Sequence, residues 1–311
     1  MNILLLGVNG QLGRSFLEQG GLASRGQVIA ASRDGRRFDG GAAEIVDLSH
    51  PETLSPLLDR WRPGLIVNAA AYTAVDRAEN EEALAIRVNG EAVGVLGKWA
   101  ATHNALVVHY STDYVFNGNA SAPYPTDAPT APLGAYGRSK LAGERSLACS
   151  GAPYLLLRTA WVYASHGQNF LRTMLRLAAE REKLRIVADQ HGSPTDTGLI
   201  VKATLAALDT WHQADPARRD KLVGAHHLVA SGSTTWHGFA GAIMQEAKAR
   251  GLITHVPQLV PITTAEFPTP AKRPAWSVLD NTGFQQQFGY ALPDWQHGLH
   301  RVIKAFSVLA P

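Results

Sequence analysis

Tyr136 and Lys140 stand four residues apart in the stretch "YGRSK". On a helix such positions differ by about 40° and share one face. A phenol and an ammonium also meet at this spacing by chance on solvated helix faces, so the pair means little alone. Thr112, just beyond the apolar run Leu106–His109, adds a hydroxyl able to orient a carbonyl oxygen. Thr, Tyr and Lys together make a constellation for reducing a ketone or oxidising an alcohol, with the phenol handling the proton. Tyr136 follows the turn-rich "PTAPLGA", which places it near the start of its helix.

The elements that would position these groups begin at the N-terminus. Ile3–Leu6 is a short apolar run of the kind expected of a parallel strand buried on both faces. Gly7, Gly10 and Gly13 follow at i, i+3 and i+6 and open an amphipathic stretch. Strand, glycine turn and helix form the context in which a backbone can approach a pyrophosphate and aim N–H groups at it. A nicotinamide dinucleotide is therefore the expected hydride carrier. Its cationic ring, with Lys140, would supply the roughly 4 kcal/mol needed to lower a phenol's pKa by about three units. The strand Gln27–Ala31 is followed by Ser32 and Arg33, with Arg36 and Arg37 close behind. A guanidinium there suits a 2′-phosphate, so NADPH is preferred and NADH remains an alternative.

Further apolar runs at Glu44–Val46, Leu65–Val67, Leu106–His109 and Leu155–Leu157 alternate with helical segments, the clearest at Glu81–Thr102 and Ser139–Cys149. This alternation predicts an α/β fold, a Rossmann-type doubly wound parallel sheet with ligands beyond the carboxyl ends of its strands. Asp47 and Leu48, Asn68 to Ala71, and Ser111 to Tyr114 fall at those ends. The small residues Ala69, Ala70 and Ala71 would let a flat cofactor lie against the backbone. The alternation loosens near residue 160. Prolines gather between Pro257 and Pro274, and Phe170–Arg181 and Gly238–Arg250 look like isolated amphipathic helices. The expected division is a dinucleotide-binding domain over 1–165, with 196–230 returning to it, and a smaller α/β substrate-binding domain from 166–195 and 231–311.

Composition narrows the classes. The 311 residues carry a formal net charge of +3, too small and scattered for a nucleic-acid footprint. The single cysteine, Cys149, rules out an internal disulfide and fits a reducing compartment. The opening "MNILLLGVNG" lacks a basic leader region, and no run is long enough to span a bilayer. A cytoplasmic protein with no nucleic-acid or membrane partner is the expectation.

The glycine pattern, Thr112 and Tyr136-x-x-x-Lys140 resemble the extended short-chain dehydrogenases/reductases. Longer stretches narrow the resemblance to the dTDP-4-dehydrorhamnose reductase family: "GQLG", "VNAAAYTAVDRAE", "STDYVFNG", "YGRSKLAGE", "RTAWVYA", "NFLRTMLRLA", "DQHGSPT" and "FPTPAKRP", in order along the chain. The resemblance implies reduction of the 4-keto group of dTDP-4-dehydro-L-rhamnose for bacterial surface polysaccharide such as the O-antigen of lipopolysaccharide. It implies Tyr136 as proton donor, Lys140 as its tuner and holder of the nicotinamide ribose, and Thr112 polarising the carbonyl. Gln11, Leu12, Asp47, Leu48, Ala69 to Ala71 and Tyr72 would line the cofactor cleft. Asp113, Tyr114 and Trp161 would line the substrate pocket, and Arg273 would clamp the diphosphate. A homodimer is also among its implications.

Two departures from the family pattern stand out. Ala275-Trp276-Ser277 follows "KRP" where an asparagine and a serine are expected. Where some members hold Mg²⁺ with glutamates at a dimer interface, the matching positions are Ser15 and Gly198, so no metal is assigned. Two rivals remain at this level. A 4,6-dehydratase or epimerase would share the fold, but dehydratases carry Asp-Glu after the threonine and this chain has Asp113-Tyr114. A non-catalytic NADP-binding regulatory subunit, like that of methionine adenosyltransferase, would not need a tuned phenol.

Overall fold

The structure, a computed structural model, describes residues 1–309. The first half runs β1 (Asn2–Leu6), α1 (Gln11–Gln19), β2 (Gln27–Ser32), β3 (Glu44–Ile45), α2 (Leu54–Trp61), β4 (Leu65–Asn68), α3 (Val75–Ala78), α4 (Glu82–Ile86), α5 (Ala92–His103), β5 (Leu106–Thr112), α6 (Ala135–Ala148) and β6 (Tyr154–Thr159). The second half runs β7 (Val162–Tyr163), α7 (Phe170–Glu180), β8 (Lys183–Val187), β9 (His191–Gly192), β10 (Thr195–Asp196), α8 (Thr197–Gln213), α9 (Pro216–Leu222), β11 (Gly224–His227), β12 (Thr234–Thr235), α10 (Trp236–Ala249), β13 (Gln258–Ile262), α11 (Thr282–Phe288) and α12 (Trp295–Leu309).

Seven strands form one sheet in the order β11-β6-β5-β4-β1-β2-β3, with every pairing parallel. The near-continuous apolar strands follow from burial on both faces. Ile3, Leu5, Val108 and Leu157 point into one core with α1 and α8. Leu4, Leu6, Val107 and Leu156 point into the other with α2 and α5. Because all seven strands run the same way, the loops after β1, β2, β4 and β5 open on one edge.

Beyond β6 the chain builds short strand pairs, β7 with β10, β9 with β12 and β8 with β13, flanked by α7 and α10. Between them α8 packs on α1 and β11 joins the large sheet beside β6. β11 has no apolar run to announce it; its sequence is Gly-Ala-His-His. Main-chain pairing with β6 and the burial of His226 and His227 make it a strand.

The helix expected over Glu81–Thr102 is interrupted. A π-helical turn at Arg87–Glu91 separates α4 from α5, and Asn89 and Gly90 are buried in it. A wide turn of this kind bulges one residue out of register and commonly marks a functional site.

Candidate active site

The glycine loop explains the close join of β1 to α1. Gly7 has φ +80, a left-handed conformation that favours glycine, and a Cβ there would lie 2.7 Å from the Ala70 nitrogen. At Gly13 a Cβ would lie 2.2 Å from the Gly7 carbonyl oxygen, so α1 packs flush on the loop. Gly10 caps α1 without a side chain, which leaves the first N–H groups of the helix open for an anion. Leu12 is buried in the core, while Gln11 accepts a hydrogen bond from Asn169 at 2.8 Å. The backbone cradle thus fits a pyrophosphate.

The adjoining strand ends hold the other cofactor candidates. Arg33 is exposed after β2, whereas Arg37 is paired with Asp39. Asp47 accepts from the Ser49 N–H at 2.9 Å, which holds its carboxyl below the usual range, and Leu48 is buried. Ala69, Ala70 and Ala71 follow β4 with part of their surface open. Tyr72 is clamped by Asn89, whose Oδ1 accepts from the Tyr72 N–H at 2.9 Å and whose Nδ2 donates to the Tyr72 carbonyl at 3.0 Å. Asn89 Nδ2 also donates to Ser139 Oγ at 2.9 Å, and Ser139 donates to the Tyr136 carbonyl at 2.7 Å. The π-turn therefore ties the alanine loop to the helix of Tyr136, a linkage that depends on a contact across 50 residues.

Tyr136 occupies the first turn of α6, next to the residues that close β5. Thr112 Oγ1 donates to Asp113 Oδ1 at 2.9 Å and accepts from the Tyr114 N–H at 3.2 Å. The Tyr114 and Tyr136 rings meet edge to face at 5.8 Å. Burial and the Asp113 charge push the Tyr136 phenol up to about 12, against the Thr112 hydroxyl, which favours the phenolate. Asp113 is itself 2% exposed and its Oδ2 has no hydrogen-bond partner. Burial raises its carboxyl to about 6, opposed by the nearby Ser277 and Thr112 hydroxyls. Tyr114 is likewise raised by burial and by Asp113.

The Lys140 amine is held by β5. Its Nζ donates to the Tyr110 carbonyl at 2.6 Å and lies 3.3 Å from His109 Nε2. His109 Nδ1 in turn lies 3.1 Å from Asn68 Nδ2. The amine is 2% exposed and points along β5, and burial brings it down to about 8 while Glu144 opposes the shift. No hydrogen bond joins it to Tyr136 among the described residues. Desolvation of the phenol is the largest influence on Tyr136 in this arrangement.

Arg273 is paired within the protein. Its fork is already engaged, with Nη1 and Nη2 donating to Asp76 Oδ1 and Oδ2 at 3.0 and 2.8 Å. It sits near Tyr114, but a diphosphate would have to compete with a carboxylate that reaches it across 197 residues. Trp161 has φ +47, an uncommon conformation for an aromatic residue, and stacks on Trp236 at 3.5 Å. Gly192 lies flush on the indole, where a Cβ would meet Cε2 at 2.4 Å. Asn89, His109, Trp236 and Asp76 escaped sequence reasoning. Asn89 alone left a local signal, the loss of apolar periodicity around "RVNGE".

Ser15 Oγ donates to Thr197 Oγ1 at 2.7 Å, and Gly198 opens α8. Among the described residues no group of three or more His, Cys, Asp or Glu is placed to hold a metal ion.

Comparison with known proteins adds the last finding. The family described as "RmlD substrate binding domain" matches residues 1–308. A curated dTDP-4-dehydrorhamnose reductase of Burkholderia thailandensis is 46% identical over 306 residues, covering 96% of this chain and 97% of its own. A crystal structure of a dTDP-4-dehydrorhamnose reductase from Clostridium acetobutylicum has a TM-score of 0.85 at 32% identity, covering 98% of this chain and 99% of that one. The enzyme of the same name from Bacillus anthracis, solved in complex with NADP, has a TM-score of 0.84 at 30% identity, with the same coverage.

Proposed function

This chain belongs to the dTDP-4-dehydrorhamnose reductase family, and we propose that Tyr136, Thr112 and Lys140 carry its reaction. The enzyme reduces the 4-keto group of dTDP-4-dehydro-L-rhamnose with a nicotinamide cofactor, giving dTDP-L-rhamnose. One observation supports the residue assignment above the others: a half-buried phenol shares the end of β5 with the Thr112 hydroxyl. A phenol held near 12 keeps its proton throughout neutral pH. Reduction of a ketone needs such a donor, because the alkoxide that develops is a stronger base than phenolate.

Gly7, Gly10 and Gly13 would hold the pyrophosphate, with Gln11 and Leu12 at the helix start and Asp47, Leu48, Ala69, Ala70, Ala71 and Tyr72 along the cleft. NADPH, when bound, supplies the hydride. Tyr136 Oη gives its proton to the ketone oxygen, and Thr112 Oγ1 orients that oxygen. Lys140, one turn along α6, would hold the nicotinamide ribose. Asp113, Tyr114 and Trp161 line the sugar pocket, and Arg273 at its rim takes the diphosphate only by sharing Asp76. Preference for NADPH rests on Arg33, exposed where a 2′-phosphate would arrive.

A homodimer and a cytoplasmic setting belong to the same proposal; the free thiol of Cys149 fits a reducing compartment. No described helix is long and apolar enough to cross a membrane. The test is consumption of NADPH with dTDP-4-dehydro-L-rhamnose, with the product identified by NMR. Tyr136→Phe should lose at least about 10²-fold in kcat while still binding NADPH. A variant near wild type would remove Tyr136 from the role of donor.

A further inference from the structure

The face of α6 that carries Tyr136 and Lys140 continues one turn further to Glu144, which is 6% exposed. Its carboxylate is fully engaged. Arg158 of β6 donates Nε to Oε1 at 3.0 Å and Nη2 to Oε2 at 2.8 Å. Ser111 Oγ donates to Oε1 at 2.5 Å. Ser111 precedes Thr112 in β5, and the two pair in register with Arg158 and Thr159 of β6. Arg158 Nη1 also donates to the Thr126 carbonyl at 2.9 Å and lies 3.5 Å from His227 Nε2 of β11, and its guanidinium stands 5.2 Å from the Phe116 ring. One ion pair therefore touches α6, the strands β5, β6 and β11, and the segment between β5 and α6.

Burying two charges is expensive, and apolar residues of similar volume often hold a core together as well or better. Stability alone is a poor reason for this pair. Its directionality is a better one: two hydrogen bonds from Arg158 of β6 and one from Ser111 of β5 fix where the Glu144 carboxylate, and with it α6, sits against the sheet, which apolar contacts do loosely. We propose that Glu144 and Arg158 form a buried positioning pair that sets the spacing between Tyr136 and Thr112. Neither residue touches the reacting atoms.

The groups acting on Lys140 are His109 and the Tyr110 carbonyl from β5 and the Glu144 carboxylate from its own helix; from β4 the neutral Asn68 reaches it only through His109. Among these Glu144 alone supplies negative charge. Lys140 is already lowered to about 8 by burial, so removing that charge lowers it further and moves the loss of the ammonium toward neutral pH.

This inference rests on the catalytic reading above, and the experiment separates the two. Steady-state NADPH oxidation with dTDP-4-dehydro-L-rhamnose is measured against pH for wild type, Glu144→Gln and the double variant Glu144→Met/Arg158→Met. Failure of wild type to turn over the sugar defeats the catalytic reading itself. With wild type active, Glu144→Gln should lose about 10- to 10²-fold in kcat with KM changed less than about threefold. Its alkaline midpoint should fall by about one pH unit. The double variant, free of an unpaired buried charge, should regain thermal stability but keep the low kcat and a lowered midpoint, and it carries the test if Glu144→Gln fails to fold. Recovery of wild-type kcat and midpoint in the double variant, or wild-type values in both, overturns the proposal.

Discussion

Gly137 lies between Tyr136 and Arg138 in the first turn of α6, against the backbone that leaves β5. A Cβ at this position would sit 2.3 Å from the Tyr114 carbonyl oxygen and 2.8 Å from the Pro132 Cβ. Comfortable contact between such atoms begins near 3.5 Å, so Gly137→Ala must move α6 away from Tyr114 by about 1 Å. Neither obstacle is the far end of a flexible side chain. Tyr114 follows Thr112 by two residues, so the displacement opens the gap between the Tyr136 hydroxyl and Thr112. A misplacement of about 1 Å can cost about 10²-fold in rate, equivalent to about 2.7 kcal/mol of barrier. Helix propensity works the other way, since alanine in a helix interior is worth up to about 1 kcal/mol over glycine. Overpacking costs about 1–3 kcal/mol and outweighs it. The expected result is a kcat about 10²-fold lower, with thermal unfolding unchanged or modestly earlier. Gly283→Ala in α11 is the control: its Cβ enters open space, so stability should rise by about 0.5–1 kcal/mol with kcat unchanged. Rates of NADPH oxidation and thermal melts on both variants decide the matter. A folded Gly137→Ala enzyme within threefold of wild type refutes the claim that the helix sets the donor's position.

Asp113 and Arg33 give two more tests. The Asp113 carboxyl is raised from 3.8 to about 6, so the folded state binds its proton more tightly than the unfolded chain does. Its stabilising contribution is present below about pH 4 and is lost as pH rises through 6; about two units correspond to about 3 kcal/mol at most. Asp113→Asn should therefore melt later than wild type at pH 8 and much less so at pH 4.5, while turnover drops; an equal shift at both pH values would mean that the buried charge is not the cause. Arg33→Ala should weaken NADPH binding about tenfold, at the low end for a charge-assisted hydrogen bond because the site is exposed, and leave NADH binding unchanged. Titration of both cofactors by intrinsic fluorescence reads this, and an unaltered NADPH affinity would move the preference to other residues.

Much of this protein can be read from its chain because the signals are local. Apolar runs such as Ile3–Leu6 mark strands covered on both sides, and glycines spaced as in Gly7, Gly10 and Gly13 mark a backbone that must turn and be approached. Since parallel strands share an edge, the same pattern says where Thr112 and the loop of Ala69 to Ala71 must lie. Tyr136 and Lys140 on one helical face follow from periodicity alone. Where those two side chains aim does not. Lys140 turns to the Tyr110 carbonyl, Arg273 is taken by Asp76, and Glu144 meets Arg158 and Ser111, each through partners from other elements. β11 is a strand because β6 stands beside it, and the Arg87–Glu91 turn widens where Asn89 reaches Tyr72 and Ser139. Spacing along the chain dictates which residues share a face, a matter of bond geometry. The protonation of Tyr136, Asp113 and Lys140 is set by how much water is excluded and which charges stand within a few ångströms, and both depend on how distant segments pack.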